Sequence, residues 1–246
     1  MPTNSLIKFS GVNFHYPCGR QALSNVSCAI SRGAGVALIG ANGAGKTSFL
    51  SLLSGLYLPK AGKVQIGSLE LNDKNLKKIR QMVGFVFQNP DNQLFMLTVL
   101  DDVAFGPLNQ GLNEKAAKEA AEQALAAVGI LKLADRPPYQ LSSGEKRLAA
   151  IAAVLSMQPE ILALDEPSAG LDPYSRRKLI NTLNSIQKTM LIATHDLDMV
   201  LDTCQEAIVL SNGEIAAQGT PEEIFADNGL LQRVRLEPPL SRQARN

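Results

Sequence analysis

Long apolar runs are missing from this chain of 246 residues. No stretch approaches the ~20 consecutive apolar residues that a membrane-spanning helix needs, so no spanning helix is expected. An excess of charge is missing too. The formal net charge is +1, which leaves no basic field calling for nucleic acid. Cysteine is scarce: Cys18, Cys28 and Cys204 are widely spaced, odd in number and without a C-x-x-C pair. That pattern argues against a disulfide framework or a zinc site and for a reducing cytosol. Met1-Pro2-Thr3-Asn4 has no basic region leading into an apolar run, so no signal peptide is expected. There is no internal repeat, low-complexity tract or long coiled-coil insertion. The length is ample for one sizeable core.

What is present begins with Gly40-Ala41-Asn42-Gly43-Ala44-Gly45-Lys46-Thr47, which fits G-x-x-x-x-G-K-[ST]. The apolar run Val36-Ala37-Leu38-Ile39 before it reads as a buried parallel strand, and Ser48 to Ser54 reads as a helix ending at Gly55. Glycines at 40, 43 and 45 let the backbone turn tightly and point N–H groups inward. With the helix start, those groups cradle phosphate. Lys46 then supplies a charge to the β- and γ-phosphates, and Thr47 a hydroxyl to Mg²⁺. A plain Gly-rich turn is the alternative. The strand–loop–helix context favours the nucleotide.

Ile161 to Leu164 form a second apolar strand, with Asp165 and Glu166 emerging at its C-terminal end, where open α/β sheets bind ligands. Asp165 is placed to hold Mg²⁺, and Glu166 to face the attacking water. Between these motifs lies Leu141-Ser142-Ser143-Gly144-Glu145. Ser142 with Glu145 three residues on is an ordinary capping box before the apolar run Leu148 to Leu155. The same helix start, with Ser hydroxyls and a Gly backbone, is also a second phosphate-binding surface.

The order of the three segments makes the chain resemble the ATP-binding cassette (ABC) family. The usual signature is Leu-Ser-Gly-Gly-Gln; here Ser143 and Glu145 depart from it. The resemblance covers roughly residues 5 to 225 and implies one cassette. Within it Tyr16 is similar to the aromatic that stacks on adenine. Gln88, after the strand Met82 to Phe87, resembles the Q-loop glutamine and is a candidate metal contact. Asp172 of Ser168-Ala169-Gly170-Leu171-Asp172 resembles the D-loop residue that reaches across a dimer. His195, after the strand Met190 to Thr194, resembles the switch histidine that meets the γ-phosphate. The implied nucleotide set is Tyr16, Gly40, Asn42, Gly43, Gly45, Lys46, Thr47, Ser48, Ser142, Ser143, Gly144 and Asp172. Lys46, Gln88, Glu166 and His195 are the implied catalytic residues, and Thr47, Gln88 and Asp165 the implied metal ligands. ATP and Mg²⁺ are the implied cofactors.

Phe87 to Phe95, then Thr98-Val99 and Asp101 to Pro107, resemble the ATPases of energy-coupling-factor importers, which include cobalt and nickel uptake systems. The resemblance implies a homodimer, or a heterodimer with a similar ATPase, at the cytoplasmic face of the membrane. It implies separate integral membrane subunits docking near Gln88 to Phe95, where Leu94 and Phe95 read as an exposed apolar pair. Cobalt or nickel is preferred because a short chain with every catalytic position filled can work as a homodimer. A vitamin importer, a soluble ABC ATPase and a poorly hydrolysing nucleotide sensor are the alternatives.

The expected fold is α/β. A mostly parallel P-loop core carries an antiparallel β subdomain over residues 6 to 35 and 62 to 71, and a helical subdomain over about 89 to 158. Asn113 caps one helix of that subdomain and Gly129 ends it. Ser211-Asn212-Gly213 marks a hairpin, and Thr220-Pro221-Glu222-Glu223 a capped helix start. One ABC domain is expected over 1–225. A short basic tail over 226–246 follows, with Arg233, Arg235, Arg242 and Arg245 around Pro238-Pro239. It is a loose terminus or a contact to anionic lipid.

Overall fold

The computed structural model describes residues 5–243, so the Met1–Asn4 start and Arg245 lie outside the described part. The first half of the chain runs β1 (Ser5–His15), β2 (Gln21–Ser31), β3 (Gly35–Ile39), α1 (Lys46–Leu53), β4 (Ala61–Ile66), β5 (Leu69–Glu70), α2 (Leu76–Met82) and β6 (Val83–Val86). Three helices follow: α3 (Val99–Asn109), α4 (Glu114–Ala127) and α5 (Ser143–Leu155). The chain then returns to alternation with β7 (Ile161–Asp165), α6 (Pro173–Ser185), β8 (Thr189–Ala193), α7 (Leu197–Thr203), β9 (Glu206–Ser211), β10 (Glu214–Gly219), α8 (Pro221–Ala226) and α9 (Asn228–Arg233).

A six-stranded sheet in the order β10-β9-β3-β8-β7-β6 forms the middle of the molecule. Its strands β9 to β6 run parallel, and the β9–β10 hairpin adds an antiparallel edge. β3, β7 and β8 are buried at every position, because both faces of a parallel sheet are covered. Strand alternation then divides the interior in two. Ala37, Ile39, Leu162, Leu164, Ile192 and Val209 face a core shared with α3, α4 and α5. Val36, Leu38, Ile161, Ala163, Leu191 and Ile208 face a second core, built with α1 and the four-stranded antiparallel sheet β2-β1-β4-β5. Phe9 stacks on Phe49 of α1 there, with ring centroids 4.1 Å apart.

The helix boundaries follow the capping residues. Thr98 accepts from Asp101 N at α3, and Asn113 accepts from Ala116 N at α4. Ser142 and Glu145 form the reciprocal box at α5, as do Thr220 and Glu223 at α8. In α4 the small stripe Ala117, Ala121 and Ala124 with Leu125 is buried against the other helices. Gly129, at φ 71°, closes that helix.

The tail expected from residue 226 differs. α9 packs onto the core through Leu230 and Leu231, followed by Val234. Burying one such side chain stabilises by about 1.5–3 kcal/mol, enough to hold a short helix down. Beyond it, Asp198 of α7 accepts N–H bonds from Leu240 at 3.0 Å and Ser241 at 3.1 Å. The packed structure therefore runs past residue 225. The apolar residues among the arginines decide this, which counting charge overlooks.

Candidate functional site

β3 delivers the chain to Gly40, where the phosphate-type loop begins. A Cβ on Gly40 would stand 2.2 Å from the Leu210 carbonyl oxygen, and one on Gly45, at φ 109°, 2.7 Å from that of Ala22. Both positions therefore require glycine for packing as well as for the turn. Lys46, the first residue of α1, is buried, and its ammonium donates to the Gly40 carbonyl at 2.7 Å. It also lies 4.0 Å from Glu166 Oε1. The loop thus curls around a cation beside free N–H groups at a helix start, the arrangement that binds phosphate.

β7 sits beside β8, and its C-terminal end meets this loop. The Thr47 hydroxyl donates to Asp165 Oδ2 at 2.9 Å. Burial pushes the Asp165 carboxyl up from its ordinary range; the Thr47 hydrogen bond opposes this and neighbouring Glu166 adds to it. A divalent cation offsets such buried negative charge. Thr47, Asp165 and the side-chain oxygen of Gln88 on the rim are hard donors of the kind Mg²⁺ takes beside phosphate oxygens and water. The residues present fit that ion.

Glu166 leaves the strand at φ 46°, a left-handed conformation that costs a side-chain-bearing residue roughly 1–2 kcal/mol. Its N–H donates to the Ala193 carbonyl at 2.8 Å. Its Oε2 accepts from His195 N at 3.2 Å and lies 2.8 Å from His195 Nδ1. The carboxylate is thereby held between Lys46 and His195, one oxygen toward each. A carboxylate so fixed can orient a water or take its proton.

Tyr16, Gln88, Asp165 and Glu166 border a single cleft of about 240 Å³ with loop residues 42–48. Asn42, Gly43, Gly45, Lys46, Thr47 and Ser48 are therefore together as expected, with Gly40 behind them against Leu210. The Ser48 hydroxyl is 2.8 Å from the Tyr16 hydroxyl, so this serine also anchors the aromatic. Tyr16 stands edge-on to Phe14 and Tyr57. Arg20, which the sequence reading passed over, lines the same cleft.

Ser142, Ser143 and Gly144 do not line that cleft. Ser143 opens on a separate one of about 510 Å³, shared with Gln88, Asn89 and Gly170. Gly144 is buried, and a Cβ there would come 2.6 Å from the Ser175 hydroxyl. Close packing of α5 on α6 thus demands glycine at 144, but not at 143, which is exposed. If this helix start is the second phosphate-binding surface expected from the sequence, Ser143→Gly should leave nucleotide turnover unchanged or up to about threefold higher, since glycine lets phosphate approach the backbone. Steady-state phosphate release checks this, and a loss beyond tenfold would make the hydroxyl itself a ligand. Asp172 caps α6, accepting from Tyr174 N and Ser175 N at 3.0 Å each. Its hydrogen bonds to Ser175 hold its carboxyl below the usual range.

Two further residues bind these parts into one device. Arg147 of α5 is buried; it donates to the Phe87 carbonyl at 3.0 Å and, at 3.5 Å, to that of Ala169. Gln93 donates to the Ala150 carbonyl at 2.7 Å. Together they tie the strand end at Gln88 to the helix begun by Ser142 and to the segment before Asp172. A charged residue opening the alanine-rich run of α5 was the available signal for Arg147. Gln93 offered none.

The chain matches the family described as ABC transporter over residues 23–169. It is 50% identical over 228 residues to a protein of Geobacter sulfurreducens named simply as an ABC transporter ATP-binding protein, covering 93% of this chain and 92% of that one. It is 42% identical over 240 residues to the energy-coupling factor transporter ATP-binding protein EcfA of Carboxydothermus hydrogenoformans, covering 96% and 88%. Among solved structures, cbiO1 of Clostridium perfringens, part of the ABC transporter complex cbiONQ, superposes with a TM-score of 0.83 at 36% identity over 94% of this chain and 95% of that one. The dimeric cassette MJ0796 bound to ADP and Pi gives 0.78 at 29% identity, over 87% and 98%.

Proposed function

This chain belongs to the ABC transporter family, whose cassettes bind and hydrolyse ATP, and from that premise we propose that it is the ATPase subunit of an energy-coupling-factor importer, with cobalt or nickel as cargo. Its working place is the cytoplasmic face of the membrane, bound to separate membrane subunits. No helix of the described residues is long and apolar enough to cross a membrane.

In this reading two copies face each other head to tail. The Lys46 loop of one copy binds the triphosphate, and Ser142, Ser143 and Gly144 of the second copy close over the γ-phosphate. Lys46 and the two helix starts neutralise the phosphate charge. When bound at Thr47, Asp165 and Gln88, Mg²⁺ supplies further charge neutralisation on the phosphate oxygens. Glu166 orients the attacking water and takes its proton, and His195 steadies the γ-phosphate. Closing the pair requires Asp172 and Ser143 to meet the opposite copy, and reopening after hydrolysis returns them.

The observation that carries the transport reading is a groove of about 670 Å³ on the side where β6 ends. Phe87, Phe95 and Phe105 line it, and Phe95 is 63% exposed. The expected exposed pair is corrected: Leu94 is 7% exposed and belongs to the core, so of these two only Phe95 presents an apolar face. Phe95 packs edge-on against Phe105 at 5.1 Å, and its N–H donates to Asp102 at 2.9 Å. A cytoplasmic helix of a membrane subunit suits such a floor. Gln93 lines the groove as well, and its side-chain oxygen accepts from the N–H of Phe87 at 3.4 Å, so movement at the adjoining Gln88 has a route to the docked helix.

Phe95→Ser is expected to keep basal ATPase activity within about twofold while reducing co-purification with the membrane subunits and metal uptake at least tenfold. Uptake of ⁵⁷Co²⁺ or ⁶³Ni²⁺ by proteoliposomes holding the assembled complex checks it. Normal assembly of the variant would remove the groove as the docking site. Uptake of a vitamin in place of metal would overturn the cargo, and a wild-type chain that binds no membrane subunit would mark a soluble ATPase.

A further inference from the structure

The His195 side chain is 66% exposed, and its described hydrogen-bond partner is Glu166. Apart from that bond to Glu166, the place of this largely exposed ring is set by the backbone that carries it. That backbone is fixed by the next residue. Asp196 N–H donates to the Thr194 hydroxyl at 3.0 Å, and Asp196 Oδ1 accepts from Met199 N at 2.9 Å, starting α7. Arg176 of α6 grips the same carboxylate with two bonds, Nε to Oδ2 at 2.6 Å and Nη2 to Oδ1 at 2.7 Å. Both side chains are largely shielded, at 24% and 19% exposure.

This geometry has a direction. α6 starts at Asp172, and Arg176 sits one turn in, its N–H bonded to the Asp172 carbonyl at 2.9 Å. A planar guanidinium gripping a carboxylate through two parallel bonds fixes orientation as well as distance. A shift of the α6 start therefore carries Asp196 with it, and the adjoining His195 peptide follows. The neighbouring pair Arg177–Asp202 has one bond, at 2.9 Å, and lies more exposed, at 58% and 38%. It joins the same helices but leads to no site residue.

We propose that Arg176 is a positioning residue for ATP hydrolysis: through Asp196 it sets His195 and couples that histidine to the Asp172 end of α6. The inference rests on the reading of His195 as the γ-phosphate contact. It adds that the second copy, on meeting Asp172, shifts His195 through this ion pair.

The test is a mutant cycle on the full chain, read by steady-state ATP hydrolysis with Arg177→Ala as the control. Arg176→Ala is expected to lower kcat about tenfold or more with KM for ATP within about twofold, because binding rests on the Lys46 loop. Arg176→Lys should recover part of kcat, since an ammonium still meets one carboxylate oxygen. In a His195→Ala background Arg176→Ala should cost less than about twofold, since the residue it acts through is gone. Arg177→Ala should match wild type. Should Arg176→Ala fail to fold, Asp196→Asn carries the same test, because it keeps the α7 cap and loses the charge. Full kcat in Arg176→Ala, an undiminished loss in the His195→Ala background, or an equal loss in Arg177→Ala would each overturn the coupling. Where His195→Ala falls below detection, failure of Arg176→Lys to recover any activity overturns it. Wild-type turnover in His195→Ala would strike at the histidine reading itself, and the coupling would fall with it.

Discussion

Glu166→Gln is expected to bind ATP with near-normal affinity and to hydrolyse it at least about a thousandfold more slowly. The amide keeps the shape between Lys46 and His195, so the left-handed turn at 166 and the contact to His195 N–H survive. What disappears is the ability to take a proton from water. The ATP complex should then accumulate as a closed pair of chains, visible as a doubling of apparent mass on size exclusion with Mg²⁺ and ATP. A single-chain elution at saturating ATP would mean that the homodimer is wrong and that a different ATPase supplies the second half-site. Turnover near wild type would remove Glu166 from the chemistry.

Lys46→Ala should abolish hydrolysis and also weaken ATP binding, about a hundredfold or more, which separates it from the first variant. The ammonium is the buried cation of the cleft, held by the Gly40 carbonyl at 2.7 Å. Removing it leaves the Glu166 and Asp165 carboxylates facing triphosphate without it, so the loss is felt in the ground state as well. A second effect follows on stability. The lysine partners two loop carbonyls, and alanine leaves them without that donor. The fold should nevertheless survive, because α1 is anchored by Phe49, Leu50, Leu52 and Leu53 in the core. Fluorescent-nucleotide titration with a thermal melt checks both parts. Unchanged affinity would show that the backbone cradle alone carries the phosphate.

The fold was legible wherever a local rule coincided with a tertiary demand. The apolar strands ahead of Gly40 and Asp165 were plain because both faces are buried. The caps at Asn113, Ser142 and Thr220 were plain because each helix start has its own hydrogen-bond need. The cleft was legible for a related reason: a loop that binds phosphate has few sequence solutions. The failures lie where only three-dimensional packing decides. Leu94 and Phe95 are adjacent apolar residues in a turn-rich segment, yet one points into the core and the other out. Their difference is set by the Asp102 carboxylate, which accepts from the N–H groups of Phe95 and Met96. No spacing rule announces that. α9 was missed because arginines surround the leucines that bury it. Arg147 was missed because its partners are carbonyls far away in the chain.

The strand order has a consequence for how the molecule is made. β3, which presents the phosphate-binding loop, pairs on one side with β8 and on the other with β9. Both of those strands are encoded in the last quarter or so of the chain, while β1 and β2 pair through a short turn as soon as they exist. On the ribosome, where synthesis proceeds at roughly 5–20 residues per second, the nascent β3 therefore waits many seconds without neighbours. Its four apolar side chains, Val36 to Ile39, stay exposed through that interval. A chain released before Ser211 would carry the whole of Gly40 to Thr47 and still have no rigid cradle. Nucleotide is therefore expected to stabilise finished chains and to leave chains truncated before β9 unchanged.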